Sequence, residues 1–308
     1  MAQFFVVDFD EPHVVAAGKG SSNIISHFTR VLTKLQVPAE VLPFRELIER
    51  GPTTDPKSYV LLHYNELFVV QYQKVDWLRA SEAELVALGH KVLHSVEHGR
   101  VIGHKVRQNK VLTAAGVPMP KLIEAGDSFG TVFSNEVSNA HVPVQLVSDE
   151  RELDSTRYNT DYINCKYEYK GKPWHISIRA MAVGEQVLFS WIRAGKGLNV
   201  RTRGTPVDAE MLTHFHDLLI KPNIDQIRDI AKCVKNALGV GLYAHDILPC
   251  AETGKFFLCE TNFKFYEGMY RFHMQSIAKD LPTPAYFNGR TAGRRIARAL
   301  VHELDLQT

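Results

Sequence analysis

The segment that most constrains this chain is Ala244–Asn262, AHDILPCAETGKFFLCETN. Two strand-like runs flank a polar E-T-G turn. The first run carries Asp246 and the second carries Glu260 and Asn262. Side chains alternate faces along a strand, so residues 260 and 262 share a face and Asp246 can meet them across the hairpin. Two carboxylates and an amide beside Ile247, Leu258 and Cys259 are costly to bury unpaired. A bound cation is one reason for that burial, and a salt-bridged or solvated hairpin is the other. Hard oxygen donors favour Mg²⁺, with Mn²⁺ as the alternative, and Mg²⁺ usually completes its shell with water and substrate phosphates. The spacing therefore points to a nucleotide.

The rest of the chain sets the fold class. With 308 residues there is room for two or three domains around sizeable cores. Hydrophobic residues at 45% and charged residues at 23% are globular proportions. The net charge of +2 gives no bulk electrostatic reason to expect nucleic acid. Cys165, Cys233, Cys250 and Cys259 form no C-x-x-C pair, which suits a reducing, cytoplasmic compartment without zinc. No long apolar window predicts a membrane span, and MAQFFVVDFDEPH lacks the basic start of a signal peptide.

Gln3–Asp8, Glu40–Pro43 and Ser58–His63 read as strands, with an amphipathic helix over Ile24–Leu35 between the first two. This α/β alternation continues into a helix predicted over Ser81–His94, with Ser81 and Glu84 at capping-box spacing. Strands are expected at Thr131–Phe133, Val144–Val147, Tyr162–Tyr169, Trp174–Val183 and Gln186–Arg193. The last two are joined at Gly184 as a hairpin. Helices are expected over Lys105–Ala115, Asp208–Leu219, Asn223–Leu238 and Pro284–Leu304. GKGSSN at Gly18–Asn23 is not a Walker A loop and reads as a turn and cap. Arg290, Arg294 and Arg298 share one helix face, which reads as solvated.

The D…E-x-N hairpin after GVGLYAHD resembles the metal motif of the ATP-grasp superfamily. HKVRQNKVLTAAGVPMP (His104–Pro120) is similar to the segment that opens the ATP-grasp region. Asp161–Gly195 resembles the hinge and the I-R-x-x-x-V-G-x-x-V hairpin. KGLNVRTRG (Lys196–Gly204) resembles the substrate loop of glutathione synthetase-like and ribosomal-protein glutamate ligases. The likeness spans about residues 90–305. It implies an α/β (α+β) chain. Residues 1–95 would form a pre-ATP-grasp domain, 96–165 a small subdomain with a flap, and 166–308 the subdomain with the metal and substrate site.

Residue by residue, the resemblance implies Lys105 on the ATP phosphates, Glu168 at adenine or ribose, and Arg179 and Arg193 on phosphate or acyl-phosphate. It implies Asn199 on the loop and Asp246, Glu260 and Asn262 as metal ligands. The chain departs from the family where a second lysine is usual: TVFSNEV carries Ser134 and Asn135, so Asn135 would meet the nucleotide and Lys166 or Arg179 would supply the missing charge. Lys264 and Arg271, just past the E-T-N, and Arg203 on the loop are candidates for a substrate carboxylate, with Tyr266 and Tyr270 lining the acceptor pocket. Residues 134–141 and 194–204 would be lids.

The implied activity is ATP- and Mg²⁺-dependent joining of a small-molecule or peptide carboxylate to an amine through an acyl-phosphate. A kinase with a hydroxyl acceptor and a nucleotide-binding protein with little turnover are the alternatives. Neither nucleic acid nor membrane is an expected partner, and a homo-oligomer is compatible with this class.

Overall fold

Strand β1 (Gln3–Asp8) has Phe4, Val6 and Val7 buried, so both its faces are covered, as in a parallel sheet sandwiched by helices. The computed structural model describes residues 2–8, 19–64, 75–124, 127, 130–137 and 144–307. From β1 the chain runs through α1 (Lys19–Lys34), β2 (Ala39–Pro43), α2 (Phe44–Glu49), β3 (Ser58–His63), α3 (Val75–Ala87) and β4 (Lys91–Leu93). These strands make a parallel sheet in the order β2-β1-β3-β4.

The helix expected over Ser81–His94 stops at Ala87, and Lys91–Leu93 is the edge strand. Gly89 breaks it at φ +92°, and Ser81 sits mid-helix with its hydroxyl donating to the Trp77 carbonyl (3.0 Å).

Next come α4 (Val96–Ile102) and α5 (Lys105–Ala114). His104 caps α5, its Nδ1 accepting from the Arg107 amide at 3.3 Å, and so fixes Lys105 as the first helical residue. A three-stranded antiparallel sheet follows, order β6-β5-β7, from β5 (Val132–Asn135), β6 (Gln145–Val147) and β7 (Tyr158–Asp161). The larger sheet has the order β10-β9-β11-β12, with β8 pairing the start of β9. Its strands are β8 (Lys166–Tyr169), β9 (Lys172–Val183), β10 (Gln186–Gly195), β11 (Leu242–Pro249) and β12 (Phe256–Asn262). The strand expected over Tyr162–Tyr169 is only half strand: β7 ends before it, 162–165 link the sheets, and β8 occupies its second half.

Between β10 and β11 lie α6 (Ala209–Phe215) and α7 (Ile224–Leu238). Asp208 caps α6 (3.0 Å), and α7 stops at Gly239, φ +74°. After β12 come α8 (Gly268–His273), α9 (Pro284–Phe287) and α10 (Gly289–Glu303). The helix expected over Pro284–Leu304 is interrupted at Asn288, whose Oδ1 accepts from the Thr291 amide (3.1 Å) and caps α10.

His94 pins the first sheet to the large one. Its Nε2 accepts from the Leu242 amide at 2.9 Å, and its ring stacks on Phe263 at 3.9 Å between centroids. No helix among the described residues is long and apolar enough to cross a membrane.

Candidate functional site

One row runs in register across four strands of the large sheet: Trp191, Arg179, Asp246 and Glu260. Strand alternation puts Arg193 and Ser177 two positions along the same face, and Asn262 two positions beyond Glu260. This face is the floor of a cleft of about 860 Å³, a size suited to a small ligand. The three-stranded sheet walls it through Phe133, Asn135, Tyr158 and Thr160. The link at Asp161–Ile163 and the loop at Leu198–Arg203 close its sides.

The floor is an ionic network. Arg179 Nη1 donates to both oxygens of Asp246 at 2.8 Å, and its Nη2 donates to Asn262 Oδ1 and the Lys264 carbonyl at 2.9 Å. Arg193 Nη1 donates to Asp246 Oδ1 at 3.1 Å and its Nη2 to Glu267 Oε2 at 2.6 Å. The Thr202 hydroxyl donates to the other Glu267 oxygen. Both arginines are buried, at 4% and 9% exposure. On β9 Arg179 faces away from Ile176 and Ile178, and its face is the cleft floor rather than open solvent.

Two guanidiniums thus face two carboxylates, which is the balance that buried charge requires. Burial pushes the Asp246 carboxyl up, but Arg179 and Arg193 outweigh it and hold it below the ordinary aspartate value. Glu267 is held down in the same way, by Arg193 and Arg179 against burial. Glu260 goes the other way: burial first and the Asp246 charge second raise it, with Lys105 and the arginines only partly offsetting them.

Of the residues expected at the site, Lys105, Asn135, Arg179, Arg193, Asn199, Arg203, Asp246, Glu260, Asn262 and Lys264 all line this cleft. Four do not. Lys166 and Glu168 are exposed on β8, away from the cleft lining. Tyr266 is buried with its hydroxyl donating to the Tyr286 carbonyl at 2.9 Å, and Arg271 also lies outside the lining.

Asn135 faces the cleft, whereas Ser134 points to the other side of β5 and accepts from Arg157 Nε at 3.0 Å. Lys166 therefore supplies no charge to the cleft, and the two η nitrogens of Arg179 are already engaged by the floor. The expected flap falls partly on residues 138–141, outside the described residues.

Glu267 is the residue that pattern reading missed. It stands alone in NFKFYEG, where no spacing marks it, and only the fold shows that it neutralises Arg193. Tyr162, expected to begin a strand, lines the cleft instead, beside Asp161 at the end of β7.

No family profile and no curated protein matches the chain. Solved structures do. D-alanine–D-alanine ligase from Bacillus anthracis complexed with ATP superposes with a TM-score of 0.55 at 12% identity, covering 100% of both chains. The ATP-grasp ligase PsnB, complexed with a phosphomimetic variant of minimal precursor, Mg and ADP, gives 0.52 at 12% identity over 98% of this chain and 99% of its own. With its small antiparallel sheet facing a larger one across a charged cleft, this chain has the ATP-grasp fold.

Proposed function

We propose that the chain is an ATP-dependent ligase that joins a carboxylate to an amine through an acyl-phosphate, releasing ADP and phosphate. The observation that carries this reading is the in-register floor of arginines and acids in a cleft between two sheets. The adenine and ribose would sit against Phe133 and the Asp161–Ile163 link, and Lys105, at the mouth of α5, would hold phosphate. A free carboxylate is a poor electrophile; phosphorylation gives it a leaving group. Arg193, Arg203 and Lys264 would hold the acid and balance the charge that develops on it. The loop at Leu198–Arg203 would exclude water from the activated acid.

The donor set fits a divalent ion in kind. The half-buried Glu260 side chain lines the cleft with no hydrogen-bond partner among the described residues, and desolvation with the Asp246 charge raises its carboxyl, which a cation would relieve. Glu260, Asp246 and Asn262 would hold Mg²⁺, with Asp246 and Asn262 first released by Arg179. When bound, the ion would neutralise phosphate oxygens. A cytoplasmic setting, where ATP is abundant and the four free cysteines stay reduced, suits this chemistry.

A second reading, nucleotide binding with little turnover, is favoured by Asn135 at the lysine position and by the commitment of Arg179 to Asp246 and Asn262. The test is an ADP-release screen over pairs of amino acids, peptides and carboxylic acids with Mg²⁺. An amide with free phosphate supports ligation. Tight ATP binding in calorimetry with no ADP from any pair supports the second reading.

A further inference from the structure

The mouth of the cleft continues onto a surface that a free amino acid would leave uncovered. Arg203 and Lys264 line the mouth and are exposed, and their side-chain cations have no hydrogen-bond or ion-pair partner among the described residues. Beside them stands α8. Its Met269 lines the cleft at 39% exposure, and Phe272, one helical turn on and on the same face, is 82% exposed. Phe272 is the most exposed of the large hydrophobic residues among those described.

This exposure is held in place. On the inner side of α8, Tyr270 is buried and stacks on Trp191, with centroids 5.0 Å apart, so the helix cannot roll to hide Phe272. The loop of Arg203 is tied to α8 at two points. Thr202 donates to Glu267 just before the helix, and the Thr205 carbonyl meets His273 Nε2 at 2.8 Å. Cations and an apolar face therefore form one rigid shelf running out of the cleft. Solvent-exposed apolar side chains fixed beside unpaired cations are what an acidic, partly apolar chain would cover.

We infer that the carboxylate substrate enters as part of an acidic peptide with a bulky apolar side chain, which lies on the shelf formed by Arg203, Lys264, Met269 and Phe272. The inference rests on the ligase reading and adds the class of acid. Acidic side chains of the peptide would pair with Arg203 and Lys264, its apolar side chain would cover Phe272, and one carboxylate would reach the floor at Arg193.

The test uses fluorescein-labelled decapeptides in anisotropy titrations of the full chain. One alternates Glu with Phe and Leu, and a second carries Lys in place of Glu. The Glu peptide is expected to bind and the Lys peptide not to bind. Phe272→Ser and the double variant Arg203→Ala/Lys264→Ala are each expected to weaken binding of the Glu peptide by about tenfold or more, with the double variant also losing salt dependence. ATP affinity by calorimetry should be unchanged in Phe272→Ser, which alters an exposed side chain.

Equal binding of the two peptides, free glutamate competing as well as the Glu peptide, an unchanged affinity in Phe272→Ser, or no binding would overturn the inference. So would a concentration-dependent dimer that Phe272→Ser dissociates, since a second copy would then be the occupant. If ATP binds but the Glu peptide does not, only this inference fails. If ATP does not bind, the ligase reading fails.

Discussion

Glu260 and Asp246 are cross-strand neighbours with opposite electrostatic fates. Asp246 holds two arginines and Glu260 holds no partner among the described residues. Because the carboxyl of Glu260 is raised, its ionised form weighs fully against the fold above that pKa; the penalty fades as pH falls from there and is gone below about 4.5, where the unfolded chain is protonated as well. Glu260→Gln should therefore raise Tm by about 1–3 °C at pH 8, with the gain vanishing near pH 4, while ADP release is lost. Differential scanning fluorimetry across pH checks the first outcome and a coupled ADP assay the second.

Arg193 shows the converse. Arg193→Met would leave Glu267 buried with only Thr202 and a more distant Arg179 near its carboxylate, and should cost about 3–5 kcal/mol in urea unfolding. Adding Glu267→Gln should recover part of that loss, which a double-mutant cycle measures.

At the scale of elements, the hairpin of β11 and β12 was legible because alternation alone aligns Asp246, Glu260 and Asn262. The neighbour of that hairpin was not legible. Alternation on β9 tells which residues share the face of Arg179, but not that a cleft rather than solvent covers it. Nor does it tell that β11 sets Asp246 directly opposite. Likewise the Tyr162–Tyr169 run hides a passage between two sheets, so that Asp161–Ile163 line the cleft whereas Lys166 and Glu168 lie outside its lining. β4 was hidden inside a helical pattern because only its pairing with β3 makes it a strand.

That short strand delivers His94 to Leu242 and Phe263. Burial pushes the His94 imidazole down to about 3, and that of His245, inside the large sheet, down to about 3 as well. The unfolded chain protonates both near pH 6.5, so stability should be complete above that value and decline as pH falls toward 3. Urea midpoints at pH 7, 5.5 and 4.5 should fall in that order, and His94→Phe should flatten part of the slope.

For the whole molecule, the ATP-grasp fold was legible from the order of motifs rather than from any single one. The likeness to solved ligases at 12% identity is a likeness of fold, so the chemistry must be argued from the cleft. That cleft lies between sheets contributed by different stretches of the chain, and a ligand seated there would hold them together. Mg²⁺ with ATP at a hundredfold excess over Kd should stabilise the protein by about 2.7 kcal/mol and raise Tm by about 5 °C.

The most direct test of a nucleotide held with a divalent ion by this floor is calorimetric titration of ATP into the wild-type chain and Glu260→Gln, each with Mg²⁺ and with a chelator. The expected result is wild-type binding that weakens at least tenfold in chelator, and Glu260→Gln binding that is weak in both conditions. Absence of ATP binding by the folded wild-type chain, or binding indifferent to both the ion and the substitution, would contradict it.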